Sequence, residues 1–426
     1  VSSRRKMYKY HYIAQKQRIM LKNIIIINDY AFINGGAGKV AITSACSLAL
    51  KGYNVTLLCA VGPIDDCLIK SGVHVVCLEQ KDILLNPNRL QASFQGIWNR
   101  KAAFVLKELL FDCNSSETII HFHGWTKALS ASLFSVLSKT SFKVIITLHD
   151  FFCFCPNGGF YDYKKKSICH LKPLSFKCIT TNCDARSYPQ KIWRVIRQFV
   201  QNKALWSNHN LAFVSISGLT QRICSPLILD GIKIYQLADP VEIKCQQPVD
   251  IAKNSTYICM SRLSPEKGID MFCQAMTNLG LNGIVLGDGY LREELERKYP
   301  NVKFAGWVSG KEKELYFQKA KCFVFTSLWY ETFGLVVAEA KSYGIPCIVP
   351  DECAASEMVE NGKNGLVFKT GNQKSLESAL MEFEKADVEV MQHKVIDSFN
   401  PQIFSSEYHI NNLIEIFEKV LKKNGE

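Results

Sequence analysis

The chain has 426 residues, 47% of them hydrophobic and 21% charged, with a formal net charge of +12. This is the balance of a globular protein able to bury large cores, and it excludes a disordered or fibrous chain. No run approaches the roughly 18 apolar residues that cross a bilayer, and the first twenty residues lack the apolar segment of a secretion signal. A cytoplasmic protein is therefore expected, with its 17 cysteines mostly reduced thiols. The positive charge calls for an anionic partner, whether nucleotide, phospholipid surface or nucleic acid.

In chain order, a basic leader (1–21) holds Arg4, Arg5, Lys6, Lys9, Lys16 and Arg18. It reads as solvated charge or as surface attachment. Short apolar runs then alternate with helical stretches, the signature of a parallel sheet covered by helices. Strands are expected at 24–28, 55–59, 74–78, 118–121, 143–148 and 211–216, with helices over 37–50 and 89–110. Residues 237–253, with Asp239-Pro240 and Pro248, read as a linker. The alternation restarts with strands at 257–260, 283–286, 302–304, 322–325 and 347–349. Helices over 267–279, 291–298, 312–319 and 333–343 separate them, and 401–422 forms an amphipathic tail. The expected organisation is a first doubly wound domain (22–240), a second (250–400), and a C-terminal helix (401–426) returning to the first. Two such sheets joined by a linker predict a ligand cleft between them.

Asn34-Gly35-Gly36-Ala37-Gly38-Lys39 opens the first helix. Such glycines allow close backbone approach at a helix N-terminus that favours an anion. Val40 in place of Ser or Thr excludes a Walker loop, and the spacing does not fit a dinucleotide fingerprint. Helix packing alone remains the alternative.

The second half is more informative. Glu331 follows a strand, and Thr332, Phe333, Gly334 and Leu335 begin a helix whose amides and dipole suit a diphosphate. Glu339 lies within an apolar helical stretch, where a carboxylate needs hydrogen-bond partners such as ribose hydroxyls. Glu331 would meet sugar hydroxyls, or simply cap the helix. Upstream, Arg262 and Lys267 emerge after a strand, where two cations can neutralise a departing diphosphate. A solvated loop is the bland alternative.

His149 ends a first-half strand, in the Thr147-Leu148-His149-Asp150 segment. A cysteine-rich insertion (151–187) follows. Its Cys155, Cys169, Cys178 and Cys183 are candidates for a closed structural zinc site, for free thiols or for disulfides, and Lys164–Lys166 form a basic knot between them.

Together these segments resemble the retaining glycosyltransferases of family 4. The resemblance rests on Gly35-Gly36, Ser261-Arg262-Leu263 through Lys267-Gly268, Gly287-Asp288-Gly289, Phe304-Ala305-Gly306 and the Glu331/Glu339 pair. It continues through Gly344-Ile345-Pro346 and Glu357 to Asn364-Gly365. The resemblance implies an α/β GT-B fold of two Rossmann-like doubly wound domains facing across a cleft. It assigns diphosphate binding to Arg262 and Lys267, donor-sugar binding to Glu331, ribose binding to Glu339, and places His149 near the donor sugar. A subset of the family is similar around Cys155-Pro156-Asn157-Gly158-Gly159, a position that suggests acceptor recognition.

The expected activity is retaining transfer from a nucleoside-diphosphate-sugar to a glycan or lipid-linked acceptor, in cell-surface polysaccharide synthesis. No catalytic cofactor is required, and nucleic acid is not an expected partner. An anionic membrane surface at the inner face is. A nucleotide-sugar epimerase or hydrolase on the same scaffold, or a non-catalytic sugar-nucleotide-binding protein, are the rival readings.

Overall fold

The computed structural model describes residues 21–241, 243 and 247–422. The expectations for the basic leader fall almost entirely outside them. Strands form where β-branched and apolar residues run together: β1 (Asn23–Ile27), β2 (Asn54–Cys59), β3 (His74–Cys77), β4 (Thr118–Phe122) and β5 (Lys143–Leu148). A two-stranded hairpin of β6 (Tyr161–Asp162) and β7 (Ser167–Ile168) follows, then β8 (Leu211–Ser215) and β9 (Lys233–Gln236). The second half supplies β10 (Thr256–Met260), β11 (Asn282–Leu286), β12 (Lys303–Gly306), β13 (Ala320–Val324), β14 (Cys347–Pro350) and β15 (Gly365–Phe368).

The first sheet runs β3-β2-β1-β4-β5-β8-β9, and the second β12-β11-β10-β13-β14-β15. In each, the strand order reverses once, between β1 and β4 or between β10 and β13. Ligands of open α/β sheets bind beyond the strand carboxyl ends at such a reversal. Helices cover both faces of the second sheet, so its strands are buried on both sides. In β10, Tyr257 and Cys259 enter one core and Ile258 the other; in β13, Cys322 and Val324 face opposite to Phe323. Cys259 and Cys322 thus serve as small hydrophobes, and burial pushes the Cys259 thiol up to about 12.

By contact density the chain divides into two compact units. One gathers the residues up to Ile146, Ala204–Ala212 and the chain from Ile410; the other holds Thr147–Lys203 and Phe213–His409. Within the first unit the tail helix Ser406–Lys422 buries Leu413, Phe417 and Leu421, with Phe417 edge-on to His121 at 5.2 Å. No helix among the described residues is long and apolar enough to cross a membrane.

The expected 89–110 helix is two helices, Arg89–Ile97 and Arg100–Phe111. Asn99 breaks it: its backbone is extended and its side chain caps the second helix by accepting from the Ala102 amide. The 333–343 helix starts two residues late, at Leu335.

Candidate functional site

In the second unit, the loops after β10 and β13 meet at the strand-order reversal. Gly268 makes the meeting possible. Its φ is +64°, and a Cβ there would lie 2.1 Å from the Thr326 carbonyl oxygen. The loops are tied by Thr326 Oγ1 donating to the Lys267 carbonyl at 3.0 Å and the Leu328 amide donating to the Glu266 carbonyl at 2.8 Å.

This apposition sets Lys267 against Glu331. Glu331 Oε2 accepts from Lys267 Nζ, from the Trp329 indole N–H at 3.0 Å and from Ser327 Oγ at 3.2 Å. Lys267 also lies over the Trp329 ring, 5.0 Å from its centroid. Burial alone would raise the Glu331 carboxyl; the Lys267 charge and these three bonds outweigh it and hold the group below the usual carboxylate range. Glu331 is therefore an ionised, oriented acceptor. Lys267 has the local anion that its place beside a helix start demands.

Arg262 is two-thirds exposed, and its Nη2 donates to the nearly buried Glu266 at 2.9 Å. Ser264 Oγ donates to the same carboxylate oxygen at 2.7 Å. Gly334, at φ 91°, is the N-cap of the Leu335–Ser342 helix, and a Cβ there would stand 2.8 Å from that of Ala355. Phe333 packs inward against Phe404, so its side chain is structural. Thr332 Oγ1 donates to the His149 carbonyl at 3.0 Å. Glu339 is only partly buried, and its Oε1 accepts from Lys313 Nζ at 2.9 Å. If Glu339 takes the ribose, as the resemblance implies, Lys313→Met should weaken nucleoside diphosphate affinity about fivefold, because a loosened Glu339 is worth roughly 1 kcal/mol; isothermal calorimetry reads the change.

His149 is buried in the same unit, with Nδ1 3.1 Å from Asp239 Oδ2. Burial lowers its pKa, but the Asp239 charge and hydrogen bond, with Asp150 beyond, win and raise it. His409 donates to or accepts at Ala238 through Nδ1; as a carbonyl can only accept, Nδ1 carries the proton.

Gly35 and Gly36 lie in the other unit. Gly35 (φ 147°) caps the Gly36–Leu50 helix and its carbonyl accepts from the Lys39 amide at 2.9 Å.

The zinc expectation is corrected. Cys155, Cys169, Cys178 and Cys183 do converge on one cavity of about 10 Å³, but Lys191 shares its lining. The Lys191 ammonium, 1% exposed, stands 3.2 Å from Cys183 Sγ and 3.8 Å from Cys178 Sγ. Among the described residues no group of three or more His, Cys, Asp or Glu is placed to hold a metal ion. A buried cation already supplies the positive charge there, and a second would be repelled. Every described cysteine is a free thiol. A chelator should accordingly leave the thermal midpoint unchanged, and elemental analysis should find no stoichiometric zinc. The segment instead packs on the site: Gly159 approaches the Trp329 ring so closely that a Cβ would lie 3.0 Å from it, and Phe151 and Phe160 meet the Tyr330 ring edge-on.

Sequence reasoning missed Ser327, Trp329, Glu266, Lys313 and Asp239. Only the buried-carboxylate argument, applied to Glu339, pointed toward such partners.

Residues 244–397 match the family model of glycosyl transferases group 1. An uncharacterized 41.2 kDa protein of the cps region of Klebsiella pneumoniae is 24% identical over 377 residues, covering 82% of this chain and 91% of that one. A GDP-mannose-dependent alpha-mannosyltransferase of Mycobacterium tuberculosis is 30% identical over 112 residues, 26% of this chain and 29% of its own. Among solved structures, Anabaena HepE in complex with UDP and glucose matches with TM-score 0.61 at 16% identity, covering 93% of this chain and all of that one. The lipopolysaccharide outer core galactosyltransferase WaaB matches with TM-score 0.63 at 15% identity, covering 93% and 99%. With its two reversing parallel sheets the chain has the GT-B fold, and its second half, residues 244–397, is similar to the group 1 glycosyltransferases.

Proposed function

We propose that the protein transfers a sugar, with retention at the anomeric carbon, from a nucleoside-diphosphate-sugar to a glycan or lipid-linked acceptor in cell-surface polysaccharide assembly. The observation that carries this reading is the ion pair of Lys267 and Glu331, fixed by Trp329 and Ser327 beside the start of the Leu335–Ser342 helix. It sets an oriented anion for sugar hydroxyls next to cations and amides for a diphosphate. In this reading Arg262, Lys267 and the amides of Thr332–Leu335 bind and neutralise the leaving diphosphate. Glu339 accepts from the ribose hydroxyls, Glu331 from the donor sugar, and His149 supports the sugar side. The names of the relatives support the class: one uses GDP-mannose, another is bound to UDP, and one is encoded in a cps region. A peripheral site of action at the cytoplasmic face of a membrane, where a lipid-linked acceptor would lie, belongs to the same proposal.

The test is a thermal-shift and calorimetric screen against UDP, GDP and their sugars, followed by turnover of the best donor labelled in its sugar. Transfer that requires an acceptor and preserves anomeric configuration by NMR is expected. Release of free sugar or an epimer without acceptor favours a hydrolase or epimerase, and no binding of any nucleoside diphosphate removes the proposal.

A further inference from the structure

In the first unit, the segment leading into and through the Arg89–Ile97 helix has inverted polarity. Leu84, Leu85, Leu90, Phe94 and Trp98 are exposed, Leu85, Leu90 and Phe94 by about three-quarters. Apart from Ile83, the residues turned inward are polar or small: Asp82, Asn86, Gln95 and Asn99 are buried, with Ala92 and Gly96. Gln95 and Asn99 are held by the Ala128 carbonyl, at 3.0 and 2.9 Å. Polar groups thus satisfy the interior contact while leucine and aromatic rings meet solvent. The next helix has an apolar inner face but carries large rings outside as well. Arg100, Phe104, Lys107 and Phe111 share its outer face at helical spacing, with Phe104 64% and Phe111 87% exposed. Ala102, Leu106 and Leu110 point inward.

Large apolar side chains outside, with internal amides already satisfied, are a cost in water that a partner would remove. The charges say which partner. Arg89, Arg100 and Lys107 are exposed among these rings, against one acidic residue, Glu108, on the two helices. Aromatic and leucine anchors interleaved with arginine and lysine suit an interface of acyl chains and anionic headgroups. A second copy of the same face would set like charges against each other.

We infer that residues 84–111 dock the protein on an anionic lipid bilayer, with Leu85, Leu90, Phe94, Phe104 and Phe111 entering the headgroup boundary. The inference rests on the peripheral membrane site of action in the proposed function and gives it a surface on this chain. It moves the attachment surface away from the basic leader and the exposed Lys164–Lys166 turn.

The experiment is co-sedimentation of the full chain with vesicles of phosphatidylcholine, alone or mixed with phosphatidylglycerol, at low and high salt. Binding to the mixed vesicles, weakened by salt, is expected. The Phe94→Ser/Phe111→Ser variant should partition at least about tenfold less, and Arg100→Gln/Lys107→Gln should lose the preference for anionic lipid. Thermal melting and nucleotide binding, measured in parallel, report whether the variants remain folded. Equal binding of parent and both variants would overturn the assignment. So would no vesicle binding at all, or a concentration-dependent dimer that Phe111→Ser abolishes. Failure of nucleotide binding with vesicle binding intact would remove the proposed function and leave the docking surface standing.

Discussion

Glu331→Gln should lower transfer by about 10²–10³-fold, some 3–4 kcal/mol of transition-state stabilisation, while nucleoside diphosphate affinity changes by less than about threefold. The substitution keeps the shape and removes the charge. Oε2 now receives hydrogen bonds from a cation, an indole and a hydroxyl. A glutamine can still accept through one oxygen, so the loop is expected to hold. What is lost is the anion that would orient and polarise donor-sugar hydroxyls, together with the counter-charge of Lys267. In the proposed function the nucleotide half is held by Arg262, Lys267, Glu339 and the helix N-terminus, none of which the substitution removes. A steady-state assay should therefore show kcat falling with little change in product inhibition by the free nucleotide. A large drop in melting temperature, or a parallel loss of nucleotide binding, would mean that Glu331 is part of the scaffold and not of the sugar site.

The same residue illustrates what could be read without coordinates. That Glu331 follows a strand and precedes a glycine-started helix is a local matter, and local chemistry announces it. Most strands of both sheets are legible for the same reason, since apolar strands buried on two faces are continuous hydrophobic runs; β9 and β15, at one edge of each sheet, are not among those expected. The partners of the site residues were not. Lys267 and Glu331 are 64 positions apart, and their contact depends on Gly268 letting one loop press against the backbone of another. Lys313 meets Glu339 from a separate helix, and Asp239 meets His149 across 90 positions. Such pairs follow from strand order, which periodicity does not encode. The cysteine segment misled for a related reason. Four thiols in about thirty residues suggest a metal, but the cation among them, Lys191, comes from the helix that follows. The outward rings of 84–111 fall mostly within what the sequence presents as one helical stretch over 89–110, and periodicity does not say which face turns inward.

The last expectation concerns His149. Asp239→Asn should lower thermal stability most at mildly acidic pH, and the deficit should shrink as pH rises. The folded-state pKa of His149 is raised above its ordinary value of about 6.5, the Asp239 charge outweighing burial. A raised histidine binds its proton more tightly folded than unfolded. Its stabilising contribution is therefore fully present below about pH 6.5 and is lost as pH climbs through the folded value. Without that carboxylate only the Asp150 charge is left against burial, and the imidazolium would be a buried, poorly compensated cation. Breaking such a pair costs about 3 kcal/mol where the histidine is charged, and less where it is neutral. Groups facing the ring include Asp239, Asp150 and His409, whose own pKa is lowered by burial. Melting curves of the parent and the variant from pH 5.5 to about pH 8.5 should therefore converge toward the alkaline end. Parallel curves would show that the two side chains share a hydrogen bond but no charge. If His149 supports the donor sugar as proposed, Asp239→Asn should also shift the acid limb of kcat toward lower pH, since the neutral ring then persists further into acid. That shift in rate, alongside the loss of acid stability, would distinguish a histidine tuned for the reaction from one that serves the fold alone.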